Sequence, residues 1–148
     1  MSQEIKNELI KMLNRALELE YAAIVQYYAH AELVQGPCSE PIIARLKEIA
    51  GDEEKHAEKF RNLIAVYLGG EPIMSLATTH KAKGLKEIFS VNLKGEKEAV
   101  DFYKEIYRKV IDNKEKLTYN FVTLEHEIRH IILDEEEHIA EISALMAE

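Results

Sequence analysis

Two short acidic signatures, Asp52-Glu53-Glu54-Lys55-His56 and Asp134-Glu135-Glu136-Glu137-His138, interrupt runs that otherwise have the pattern of buried helix faces. Around the first, Ile42, Leu46, Ile49, Glu53, His56, Phe60, Leu63 and Tyr67 follow one another at steps of three or four. Around the second, Phe121, Leu124, Ile128, Ile131, Glu135, His138, Ile142 and Leu145 do the same. Residues so spaced share one face of a helix, so each Glu-His pair points wherever the flanking Ile, Leu and Phe point, into a core. A lone carboxylate there is strongly destabilising. The chain must therefore fold so that these acids meet cations.

Gly, Pro and Asn punctuation divides the sequence into four long periodic segments, none with sustained alternation of period two, which predicts an all-α fold. The first helix covers about residues 2–34, with Ile10, Leu13, Leu17, Glu20, Ile24, Tyr27 and Ala31 on its stripe, and ends at Gln35-Gly36-Pro37. The second begins near Ser39, where Ser39-Glu40-Pro41 offers an N-cap and a first-turn Pro, and stops at Gly69-Gly70. The third spans about 84–111 with the stripe Leu85, Phe89, Asn92, Glu96, Ala99, Tyr103, Ile106 and Val110; the fourth follows from about Lys114. Short links join the first helix to the second and the third to the fourth, whereas 71–83 is long enough to traverse a bundle. The prediction is an antiparallel four-helix bundle with one long crossover between the second and third helices, folding as one domain over residues 1–148.

The two halves also read as a repeat. Glu20 is followed seven residues later by Tyr27, Glu96 seven later by Tyr103, and the second and fourth helices carry the duplicated Asp-Glu-Glu-x-His. Four carboxylates (Glu20, Glu53, Glu96, Glu135) and two imidazoles (His56, His138) thus fall on core stripes. Two divalent ions would balance four carboxylates and leave the histidines neutral, offsetting the cost of desolvation. Oxygen and imidazole donors without thiolate suit iron or manganese better than structural zinc. In the expected arrangement Glu53 and Glu135 bridge the ions, Glu20 and His56 complete one, and Glu96 and His138 the other. Tyr27 and Tyr103 are candidates to hydrogen-bond the terminal glutamates, with core filling as the equal alternative, and Asp52 and Asp134 to orient a histidine on the opposite helix. Glu127 and His130 repeat the E-x-x-H spacing, yet Ile128 and Ile131 hold the stripe there and set that pair off the ligand face. Glu98 is out of register where Glu96 is in it. His30, His80 and His126 are read as surface or loop residues, with no function assigned.

Composition narrows the partners. A formal net charge of −8 with no cluster of Lys and Arg argues against nucleic acid. The apolar runs are too short and too interrupted for a membrane span. The opening MSQEIKNELIK lacks the layout of a signal peptide, and the single Cys38 allows neither an intramolecular disulfide nor a thiolate metal centre. A cytoplasmic location and a homo-oligomer built on exposed helical faces are the expectations.

The segments Glu20-Tyr-Ala-Ala-Ile-Val-Gln-Tyr27, Asp52-Glu-Glu-Lys-His-Ala57, Glu96-Lys-Glu-Ala-Val-Asp-Phe-Tyr103 and Asp134-Glu-Glu-Glu-His138 resemble the helices of bacterioferritin and rubrerythrin. The resemblance covers nearly the whole chain and implies a ferritin-like di-iron carboxylate protein with two iron ions per chain at the six positions named above. It implies ferroxidase or peroxidase chemistry, Fe(II) being oxidised by dioxygen or hydrogen peroxide, in iron handling or oxidative-stress defence. Three departures qualify it. Glu54 stands where bacterioferritins carry the haem-ligating Met, so haem is not expected. The sequence stops at Glu148, where ferritin and bacterioferritin cages continue into a short fifth helix, which leaves cage assembly open. Ala99 replaces the additional glutamate of rubrerythrins, and no Cys pairs exist to form their rubredoxin site. An iron-storage cage subunit, a manganese catalase-like centre and a metal-stabilised bundle without turnover are the alternatives.

Overall fold

The computed structural model describes residues 2–147 and consists of four long helices, α1 (Ser2–Leu33), α2 (Ser39–Asn62), α3 (Gly84–Asp112) and α4 (Phe121–Met146), with no strand among the described residues. Each helix follows its apolar periodicity. In α1 the buried Ile5, Leu9, Leu13, Ala16, Leu17, Glu20, Tyr27 and Ala31 form one stripe; in α4 Leu124, Ile128, Ile131, Glu135, His138 and Ile142 form another. The stripes fray only at their ends, where Tyr67 and Leu145 are exposed.

Packing is closest between α1 and α2 and between α3 and α4, and α1 also packs on α3. Hydrogen bonds fix the direction of α3. Gln26 meets Asn92, Tyr27 meets Glu96 and Tyr103 meets Glu20, so α3 descends as α1 rises. The second helix continues through a π-helical turn, Leu63–Tyr67. That wider turn lets the Gly70 N–H donate to the Ile64 carbonyl at 2.7 Å. Gly70 then passes so close to α1 that a Cβ would stand 2.8 Å from Ile10 Cγ2, and only glycine fits without displacing that side chain.

From there the crossover lies along α1, tied at successive turns. The Asn14 side chain donates to the Glu71 carbonyl and accepts from the Ile73 N–H, at 3.1 and 2.8 Å. The Glu18 carbonyl and carboxylate accept from the Ala77 N–H and the Ser75 hydroxyl, at 3.0 and 2.7 Å. Gln26 Oε1 accepts from the His80 N–H at 2.7 Å. No helix among the described residues is long and apolar enough to cross a membrane.

Three local expectations are corrected. Cys38, not Ser39, stands at the N-cap of α2, in the left-handed conformation (φ 65°) and without a side-chain cap, because the preceding turn bonds the Ser39 N–H to the Gly36 carbonyl. The fourth helix starts at Phe121 rather than Lys114: residues Lys114–Lys116 form a separate 3₁₀ turn, and the carbonyl of the buried Leu117 accepts from the Asn120 and Phe121 N–H groups. His30 is buried, 3 % exposed, rather than at the surface. The burial is tolerated because its ring has partners on both sides: Asn92 Nδ2 lies 2.9 Å from Nδ1, and the His80 carbonyl 2.9 Å from Nε2.

The apolar interior falls into two clusters. One gathers Leu9, Leu13 and Leu17 with Phe60, Ile64, Ile106, Leu124 and Ile128; the other gathers Tyr27, Ala31, Leu46, Ile49, Ile88, Phe89 and Ile142. On every helix the candidate ligands, Glu20, Glu53 and His56, Glu96, and Glu135 and His138, lie in sequence between the two.

Candidate metal centre

Glu20 on α1, Glu53 and His56 on α2, Glu96 on α3, and Glu135 and His138 on α4 converge in that layer, each 3 % exposed or less. Two overlapping groups result, Glu20-Glu53-His56-Glu135 and Glu53-Glu96-Glu135-His138, and in each the donor atoms lie within 4.8 Å of one another. Glu53 and Glu135 belong to both. The distances are nearly mirrored. His56 Nδ1 lies 3.1 Å from Glu53, 3.3 Å from Glu135 and 3.7 Å from Glu20. His138 Nδ1 lies 3.1 Å from Glu135, 3.3 Å from Glu96 and 3.6 Å from Glu53.

The atoms facing the middle of the layer are under-satisfied. Glu20 Oε1, Glu53 Oε1, Glu135 Oε1 and His56 Nδ1 are buried and have no hydrogen-bond partner, although ion-pair distances separate them. Unpaired buried groups of this kind are costly. The donor set, carboxylate oxygens and one imidazole nitrogen per group, fits a pair of divalent cations.

Around this set the two halves exchange support. His56 Nε2 lies 2.8 Å from Asp134 of α4, and His138 Nε2 2.9 Å from Asp52 of α2. With Nε2–H donating to the aspartate, the Nδ1 lone pair is left for a cation held by the carboxylates. The phenols cross the bundle too. Tyr27 donates to Glu96 at 2.9 Å and Tyr103 to Glu20 at 2.7 Å. Each tyrosine thus serves a glutamate on the partner helix rather than the one seven residues away on its own, because antiparallel α1 and α3 bring the pairs level while two turns of one helix hold them roughly 10 Å apart.

Without a metal the layer neutralises itself with protons. Burial opposes charge on both imidazoles, yet the close carboxylates, Glu135 with Glu20 on one side and with Glu96 on the other, push His56 and His138 up to about 11. Burial and repulsion from Glu135 raise Glu20, and raise Glu96 to about 8; burial and the other three carboxylates raise Glu53 well above the usual range. Glu135 is the exception. Burial works against its charge, but the nearby His138, His56 and Glu53 side chains hold it down to about 2. Burial and the adjacent carboxylates raise the Tyr27 and Tyr103 phenols, which keeps them protonated as donors.

Glu98, Glu127 and His130 belong to neither group. Glu127 pairs with Lys59 at 3.1 Å. Sequence reasoning passed over a polar network beside the centre: Gln26 Nε2 donates to Asn92 Oδ1 at 2.9 Å, and Asn92 Nδ2 reaches both His30 and the Ile88 carbonyl. Asn92 on an otherwise apolar stripe was the available signal. The network anchors the crossover at His80, beside which a cavity of about 90 Å³ opens between Ala22, Ala23 and Thr78 on its outer side and Glu20, Glu53, Glu96 and Glu135 within.

Comparison with known proteins agrees with this architecture. The Ferritin family, described as the ferritin-like domain, matches residues 10–148. Bacterioferritin of Brucella melitensis biotype 1 is 31 % identical over 98 residues, which are 66 % of this chain and 61 % of that protein, so the chain matches less than two thirds of that relative's length. Among solved structures, ferritin-like diiron-carboxylate proteins from Bacillus anthracis str. Ames superpose with a TM-score of 0.88 at 25 % identity, covering 97 % of this chain and 98 % of that one. Rhodobacter capsulatus bacterioferritin, crystallised with a metal-free dinuclear site and haem iron, superposes with a TM-score of 0.81 at 25 % identity, covering 95 % and 84 %.

Proposed function

Because the chain belongs to the ferritin-like domain family, we propose that its buried layer binds two iron ions and oxidises Fe(II) with dioxygen or hydrogen peroxide, in iron handling. The carrying observation is the pair of overlapping donor groups that share Glu53 and Glu135 and contain unpartnered buried atoms. Glu20 and His56 would hold one ion, Glu96 and His138 the other, and Glu53 and Glu135 both. A ferrous pair supplies two electrons, one from each ion, to an oxidant. The names of the relatives, bacterioferritin and diiron-carboxylate protein, support iron over manganese.

The protein's own part is charge and orientation. Four carboxylates match two divalent charges in a layer closed to bulk water, which favours cations over any neutral occupant. Asp134 and Asp52 fix the imidazole tautomers, and Tyr103 and Tyr27 fix the rotation of Glu20 and Glu96. Ion loading would displace protons from these carboxyls and imidazoles. The half-exposed Asp134 and Asp52 give those protons a hydrogen-bonded way from imidazole to solvent. Glu54, bonded by the Tyr28 hydroxyl, offers a carboxylate where bacterioferritins place their haem-ligating Met, so the proposal is haem-free.

Anaerobic titration with Fe(II) should saturate at two ions per chain, and addition of oxygen or peroxide should then generate ferric absorption. Saturation at one ion, or no spectral change with either oxidant, would refute the reading. Iron storage is a second reading, favoured by the bacterioferritin relatives. It requires a hollow assembly that sediments with retained mineral after iron loading.

A further inference from the structure

We propose that His126 and His130 form a second metal site on the outer face of α4, separate from the buried layer, that takes imidazole-seeking divalent ions such as Cu(II) or Zn(II). The two residues are four apart on one helix and therefore stand on the same face. Their ring centroids are 4.3 Å apart with a tilt of 39°. His126 is exposed and His130 half-buried, so the pair is open to solvent.

The spacing matches chelation. A metal–imidazole bond of roughly 2.0–2.1 Å puts each centroid about 3.2 Å from the ion, and two rings whose metal bonds meet at a right angle, as in tetragonal Cu(II), then have centroids about 4.5 Å apart. The observed centroid separation lies within a few tenths of an ångström of that value. Nothing else among the described residues claims them, since neither imidazole has a hydrogen bond or ion pair there. The flanking acids are committed elsewhere: Glu125 accepts from Tyr107 at 2.8 Å and from Arg129 at 2.6 Å, and Glu127 pairs with Lys59.

The donors also separate the two sites by ion type. Each buried group offers three carboxylates and one imidazole, whereas the surface pair offers two imidazoles and leaves its remaining positions to water. Nitrogen-rich sites favour copper, nickel and zinc over the ions that carboxylates prefer. The protein thereby gains a readily exchanging site with a specificity different from that of its centre.

The test is a stepwise Cu(II) titration of the metal-depleted full chain at pH 7.5, followed by electron paramagnetic resonance. The expected result is a mononuclear signal coupled to two nitrogens, rising to one copper per chain. His126→Ala and His130→Ala should each abolish that signal and weaken copper binding at the site at least tenfold, with unchanged melting temperature. Persistence of the two-nitrogen signal in both variants, or its absence from the wild type, would overturn the proposal. Copper in the buried layer has one imidazole per group, so its one-nitrogen signal reports on the centre independently.

Discussion

The sharing of Glu53 between both donor groups makes Glu53→Gln the most discriminating perturbation. Glutamine keeps the volume, so without metal the substitution removes only a buried carboxyl whose Oε1 already lacks a partner and which burial and its neighbours keep protonated. The metal-free stability should move by no more than about 1 kcal/mol, and in the favourable direction. With metal the sign reverses. Free ion at a thousandfold excess over Kd contributes about 4 kcal/mol per site. Losing a shared ligand should weaken each site by about a hundredfold, or about 2.7 kcal/mol, hence about 5.4 kcal/mol over two sites. At about 3 °C per kcal/mol for a chain of this size, the metal-induced rise in Tm should shrink by about 16 °C. The assay is thermal unfolding followed by circular dichroism under nitrogen, with chelator and then with Fe(II). An unchanged metal-induced rise refutes the ligand assignment. A loss of half the expected size shows that Glu53 serves one ion only.

Asp134→Asn, which removes the carboxylate 2.8 Å from His56 Nε2, should lower affinity for one ion by about 10- to 100-fold and leave the other nearly unchanged, as two-phase calorimetric titration would reveal. Stability of the metal-free protein should fall as pH rises. The raised carboxyls and imidazoles bind more protons folded than unfolded, so their contribution is complete below their unfolded values and is lost as pH climbs toward about 8 for Glu96 and about 11 for His56 and His138. Glu135, held near 2, acts oppositely and its contribution disappears only in strong acid. Urea unfolding with chelator should therefore give a lower midpoint at pH 8 than at pH 5.5, and iron should invert the order because protons compete with it; equal midpoints would refute the proton accounting. Ala22→Leu should fill the cavity beneath Thr78 and slow Co(II) uptake severalfold in stopped-flow absorption without changing the final affinity. An unchanged rate would place the entry route elsewhere.

The bundle and the convergence of its polar residues were legible because both depend on the same arithmetic. Steps of three and four put Glu53 and His56 on the face of Ile49 and Phe60, and no alternation of period two competed with them. Periodicity carries no information about height between helices. Tyr27 and Tyr103 were visible as residues on the right face, yet their bonding to the opposite chain segment required the antiparallel register of α1 and α3. The same blindness hid His30. One turn beyond Gln26, it reads as a surface or loop residue, and only the crossover passing over it, with Asn92 below, turns it into a buried bridge. Boundaries failed where local geometry overrode residue preference. Cys38 in a left-handed conformation precedes Ser39, and the turn at Leu117 takes over residues that could have extended α4.

The stacking of two apolar clusters with an ionisable stratum between them makes the bundle resemble two short barrels joined end to end. An occupied centre would weld them, so that amide exchange at both ends would report one common opening energy. Emptied of ions, the seam becomes the weakest plane of the molecule. The end holding Ile88, Phe89 and Ile142 should then open before the end holding Leu9, Phe60 and Ile106, and the mechanical unity of the bundle would depend on its iron supply.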